Sequence, residues 1–119
     1  MMSILLCLAL NIYHEARGEP LIGQEMVASV TLNRVASPLY PDNVCDVVYQ
    51  PRQFAWTSSP PPVTDTKAFY TALMIAWDAQ PLNEATHFYS GPPPFWANHP
   101  DFQLVGKIAG HTFYKETRP

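Results

Sequence analysis

"ALNIYHEARGEPLIGQEMVASVTLNRV", residues 9–35, is the stretch that decides the fold. Joined to the apolar run before it, its first half predicts a helix over residues 3–17 that is apolar on almost every side. Such a helix cannot lie on a surface and belongs at the centre of a domain. Gly18 suits the position just past a helix end, and Glu19 is turned away from helical geometry by the proline that follows it. Pro20 then suits the first turn of a second helix, over residues 21–36, with Ile22, Met26, Val27 and Val30 facing inward. The stretch therefore reads as a buried helix, a tight corner and a second helix folded back on it.

Outward from this pair, "YPDNVCDVVYQ" (40–50) predicts a short third helix capped by Asp42 or Asn43, with Val44, Val47 and Val48 packed. "TSSPPPVTD" (57–65) is a loop, because consecutive prolines fit neither a helix interior nor a central strand. "TDTKAFYTALMIAWDAQ" (64–80) carries a further helix with Phe69, Leu73, Ala76 and Trp77 at helical spacing. The last third changes character. "ATHFYS" (85–90) is rich in aromatic and β-branched residues, and "FQLVGKIAGHTFY" (102–114) reads as strand, glycine-containing turn and strand. "GPPPFWANHP" (91–100) between them is an exposed loop or cleft wall. The expected class is α+β, a helical bundle with a small antiparallel sheet, forming one domain over residues 1–119.

Composition narrows the function. Only 14% of the 119 residues are charged, against roughly 25% in an average globular protein, which argues against a disordered charged tail. Net charge is −3 and the basic residues are scattered, so nucleic acid is not an expected partner. "MMSILLCLAL" has no positively charged start, no small-residue cleavage pattern after it and too few apolar residues to span a bilayer. It reads as the buried start of the first helix, with no export signal and no stable membrane insertion expected. Without such a signal, Cys7 and Cys45 read as two buried thiols rather than a bridge.

His14 and Glu15 raise the question of a zinc-binding H-E-x-x-H helix. That motif needs a second histidine four residues on, and the position is Gly18. The remaining histidines are dispersed, so neither a metal nor any other cofactor is expected. Glu15 follows Leu8, Asn11 and Ile12 along one helix face and falls in the last turn. Burial and the negative end of the helix dipole both oppose ionisation there. A carboxyl group kept partly protonated near neutral pH is the acid a glycosidase needs. Spacing alone leaves a second reading level with it, in which Glu15 pairs with Arg17 or caps a loop.

The 9–35 stretch, then "VCDVVYQPRQFAW", "ATHFY" and "AGHTFY", taken in order, resemble the spore-cortex-lytic and cell-wall hydrolase family of peptidoglycan-cleaving enzymes. The resemblance implies a lysozyme-like fold with Glu15 as the catalyst. It implies cleavage between N-acetylmuramic acid and N-acetylglucosamine in glycan strands, by a lytic transglycosylase. One carboxyl group suffices for that reaction, whereas a lysozyme-type hydrolase needs a second, for which Glu19 is the first candidate and Glu25 and Asp46 weaker ones. The short chain resembles phage endolysins that gather in the host cytoplasm and act on the wall as monomers. A secreted bacterial enzyme is the alternative, and a non-catalytic peptidoglycan-binding module is the competing class.

Candidate supporting residues follow from the same stretches. Gln53 and Trp56 in "QFAW" offer an amide and a stacking surface for sugar, whereas Phe54 reads as core. Strand alternation sets His87 and Tyr89 towards the cleft and Phe88 towards the core. Trp96 in its loop is a further substrate candidate. Asn33 either orients Glu15 or caps the second helix, and Arg34 is expected to pair with an acid such as Glu19. His111 shares a face with Phe113 and is a minor candidate for the site.

Overall fold

The computed structural model describes residues 3–117. Helix α1 (Ile4–Ala16) starts at Ser3, whose side chain accepts from the Leu6 N–H. It ends where Gly18 takes a positive φ of 89°, a conformation open to glycine without strain. Helix α2 (Leu21–Ala36) begins directly after Pro20. The Gln24 side chain donates to the Glu19 carbonyl at 3.0 Å, tying the corner to the new helix. Helix α3 (Val44–Val48) is capped by Asn43, which accepts from the Asp46 N–H. Helix α4 (Thr66–Trp77) is capped by Asp65. Strands β1 (His87–Tyr89), β2 (Phe102–Ile108) and β3 (His111–Glu116) form an antiparallel sheet in the order β1-β3-β2.

α1 is central, packed against α2, α3 and α4, and it buries Cys7, Leu8, Ala9, Asn11, Ile12, Tyr13 and Ala16. Two core clusters result. The larger joins α1, α2, α3 and α4 with Phe54 and Trp56. The smaller joins Met26 and Val30 of α2 to Ala85 and Phe113 under the sheet. Phe88 packs against both and so couples the helical lobe to the sheet.

Three sequence expectations are corrected here. Cys7 and Cys45 form a disulfide, with Cα atoms 5.4 Å apart, because α3 lies directly against α1. Ile22 faces out, with Gly23 and Gln24 buried in its place, since the α1–α2 corner rotates the start of α2. Trp77 is 78% exposed. The inward stripe of α4 runs through Ala72 and Ala76, small residues that let α4 approach α1 closely, with Phe69 and Leu73 packed at its edges. Among the described residues no helix is long and apolar enough to cross a membrane.

Candidate active site

Glu15 sits in the last turn of α1, half-buried beside the α2–β1 junction. Burial pushes its carboxyl above the usual glutamate range, and the positive charge of Arg34 opposes that shift. The alternative partner, Arg17, is engaged elsewhere: it donates to the Tyr13 hydroxyl and lies over the Tyr13 ring. His14, the neighbour of Glu15, stacks on Trp56 with centroids 4.6 Å apart, and burial then the Arg17 charge lower its pKa.

Arg34 is the organiser. It is only 3% exposed, and among the described residues no carboxylate lies within ion-pair distance of it. Its Nε donates to the Thr86 carbonyl at 2.6 Å and its Nη1 to Gln53 Oε1 at 3.2 Å, while the guanidinium covers the rings of Tyr40 and Phe54. Burial lowers its pKa, and Tyr40, Glu116 and Glu15 counter that. A desolvated cation is expensive to hold without a counter-ion in contact. Here it is shared at longer range between two carboxylates. The expected pairing of Arg34 with Glu19 does not form, because Glu19 projects to the far side of the corner, towards His111.

Beyond Arg34, Tyr40 donates to Glu116, and burial followed by that bond pushes its phenol up. The nitrogens of His87 lie 3.5 Å from the same hydroxyl. His87 then meets Trp96, centroids 5.2 Å apart, and Trp96 also contacts Tyr89, Phe102 and Tyr114. Glu15, Arg34, Gln53, Tyr40, Glu116, His87, Tyr89 and Trp96 thus form one continuous series along the junction of the two lobes.

The other candidates go elsewhere. Trp56 is buried at 8% exposure, and its indole N–H donates to Asn11 Oδ1 at 2.9 Å. It is a core residue that supports His14, not an open stacking surface. Asn33 neither orients Glu15 nor caps its own helix; its amide donates to the carbonyls of Asn83 and Ala85 at 2.7 and 2.8 Å, fixing the entry to β1. His111 is buried against Phe88 and Glu19. Glu25 lines a groove of about 450 Å³ between α2 and α4, remote from the junction. Asp46 accepts from Asn43 at the start of α3.

Sequence reasoning missed Asn11, Tyr40 and Glu116. Strand alternation carries a signal for Glu116, because Thr112, Tyr114 and Glu116 follow one another on the same sheet face as their cross-strand partners Tyr89 and His87. Nothing local marks Tyr40. Among the described residues no group of three His, Cys, Asp or Glu side chains is arranged to hold a metal. Activity is expected to survive exhaustive EDTA treatment; loss on chelation with recovery on added zinc would revive a metal-dependent amidase.

Residues 18–114, starting just past Glu15, match the model of the cell wall hydrolase family. The spore cortex-lytic enzymes of Halalkalibacterium halodurans and Bacillus subtilis are each 34% identical over 84% of the chain. The chain spans about a third of their length, 32% and 34% respectively. The fold, helices with a three-stranded antiparallel sheet, is that of the lysozyme-like SleB catalytic domain. The catalytic domain of the germination-specific lytic transglycosylase SleB from Bacillus anthracis superimposes with a TM-score of 0.74 at 29% identity, covering 97% of this chain and 96% of that one. The Bacillus cereus SleB catalytic domain gives 0.73, covering 94% and 89%. With a family match across most of its length and relatives this similar over more than four-fifths of it, the chain belongs to the cell wall hydrolase family.

Proposed function

We propose that the chain is a catalytic domain that cleaves the MurNAc–GlcNAc bond of peptidoglycan as a lytic transglycosylase, with Glu15 as its acid and then its base. The observation that carries this reading is the half-buried Glu15 with its raised pKa, set beside Arg34. A neutral Glu15 donates its proton to the leaving glycosidic oxygen. The resulting carboxylate takes the proton from the muramoyl 6-hydroxyl as that oxygen closes on the anomeric carbon. Arg34 helps hold the carboxylate form between the two steps. Gln53, which is exposed, and His87, Tyr89 and Trp96 contact the glycan along the junction.

A hydrolase would need a second carboxylate to activate water. Glu19 faces His111, Glu25 lines the groove between α2 and α4, Asp46 lies in the α3 cap, and Glu116, the carboxylate that shares the junction with Glu15, accepts from the buried Tyr40 hydroxyl. Their placement supports the single-acid route. A complete digest of peptidoglycan is therefore expected to contain 1,6-anhydromuramoyl ends, which borohydride does not label and which differ from hydrolysed ends by one water in mass spectrometry. Predominantly reducible muramic acid would overturn the transglycosylase assignment and leave Glu15 as the acid of a muramidase.

The Cys7–Cys45 bond supports action in an oxidising compartment, as for a secreted wall enzyme, and weighs against an endolysin that accumulates in host cytoplasm.

A further inference from the structure

The β2–β3 hairpin turns at Ala109 and Gly110, and the glycine is not where the backbone asks for one. Ala109 carries the positive φ, 55°, while Gly110 does not. A non-glycine residue in that region is strained, so a turn designed for its own comfort would place the glycine first. What Gly110 provides is room. A Cβ there would lie 2.7 Å from Glu19 Oε1, so the glutamate carboxylate occupies the space that a side chain would take. Gly23 at the start of α2 makes a similar approach, its missing Cβ 3.2 Å from the Ala109 Cβ and 3.3 Å from the Glu19 Cβ.

From the other side, His111 Nδ1 lies 3.3 Å from Glu19 Oε1. The histidine is buried, the approach is off the line of a hydrogen bond, and Nδ1 has no other partner among the described residues. The edge of Phe88 holds the imidazole in place, with centroids 5.2 Å apart. Glu19 is in turn bound to the catalytic helix, since its N–H donates to the carbonyl of Ala16, the neighbour of Glu15, at 3.0 Å.

We propose that Glu19 and His111 are positioning residues: with Gly110 they pin the hairpin tip to the α1–α2 corner and so fix the direction of Glu15. The proposal rests on Glu15 being the acid. Arg34 holds the same two lobes together through Thr86, but at the opposite side of the junction. With the pin removed, the last turn of α1 keeps its hold on the helical lobe, where the Tyr13 hydroxyl accepts from the Thr64 and Asp65 N–H groups, and loses its tie to the hairpin. A misplacement of about 1 Å in a reacting group is enough for a rate loss on the order of 10²-fold.

Three variants test this: Glu19→Gln, His111→Gln and Gly110→Ala, the last of which displaces the carboxylate and leaves every titratable group in place. Each is expected to lower kcat on soluble glycan oligomers roughly 10- to 100-fold with little change in KM. The urea midpoints of the two single variants and of Glu19→Gln/His111→Gln are expected to be non-additive. In carbon-13 NMR of the free protein, the Glu15 titration should move down towards the ordinary glutamate value as water reaches the loosened helix end. Additive midpoints, or an unmoved Glu15 titration in folded variants, would overturn the pin. So would a Glu19→Gln variant as inactive as Glu15→Gln while Gly110→Ala keeps full kcat, because Glu19 would then be acting on substrate. The NMR and urea measurements do not depend on turnover, so a wild-type chain that failed to cleave glycan would sink the proposed function and still leave the pin decided.

Discussion

Replacing Glu15 by glutamine is expected to give a folded protein whose glycan-cleaving activity is lowered roughly 10²- to 10⁴-fold, the usual contribution of a positioned general acid. The amide keeps the shape and polarity of the side chain and has no proton to give at any working pH. The same variant makes a stability forecast with a definite sign. Burial raises the pKa of Glu15 in the folded state, so the folded protein binds that proton more tightly than the unfolded chain. The stabilisation linked to it is fully present below the unfolded pKa and is lost as pH rises through the folded one. Above the folded-state pKa the wild type holds a carboxylate in an unfavourable place, whereas the glutamine carries no charge at any pH. Glu15→Gln is expected to melt at or above the wild-type temperature at pH 7.5, and to lose that advantage as the pH is lowered towards 4. Turbidity loss of wall suspensions and thermal melts across pH check both halves. A variant retaining more than a tenth of the activity would remove Glu15 from catalysis; one melting well below wild type at neutral pH would contradict the burial argument.

The second large effect concerns the disulfide. Cys7 and Cys45 enclose a loop with a sequence separation of 38 residues. In the chain-entropy account, cutting such a link costs about 4 kcal/mol. Helix α3 has five residues, too few to persist without tertiary support. It is held by Val44, Val47 and Val48 on its buried face and by Cys45 to α1. The double variant Cys7→Ala/Cys45→Ser, or the reduced wild type, is expected to melt roughly 15 °C lower. Ellman titration of the unfolded protein without reductant should find no free thiol. Two free thiols with an unchanged melting temperature would contradict the bond.

Much of the architecture was legible in order of sequence. The predominantly apolar character of residues 3–17 announced a central helix, and Gly18-Glu19-Pro20 announced the corner, because glycine and proline act on the backbone locally and need no partner. Alternation placed Phe88 under the sheet and Tyr89 on its other face, and set Phe113 on one face with His111; that this face is the core one, with Phe113 fully buried, came from the structure. The errors came where a helix face is chosen by what lies opposite. Ile22 and Trp77 have the right spacing and the wrong side, since α1 offers α4 a surface that alanines fit and leaves the indole in solvent.

The same division runs through the candidate site. By itself the sequence determined that Glu15 ends a buried helix, which depends on residues within two turns; that burial raises its pKa, rather than Arg17 pairing with it, was decided by the tertiary structure. Only the tertiary structure decided its neighbours. Arg34 lies 19 residues from Glu15 in the chain, Tyr40 and Glu116 are separated by 76, and Cys7 and Cys45 by 38. None of these pairings leaves a mark in local composition, because a guanidinium, a phenol or a thiol is the same residue whether it meets solvent, a carboxylate or its own kind. Which of these it meets is set by how the helices and the sheet pack, and packing is a property of the whole chain.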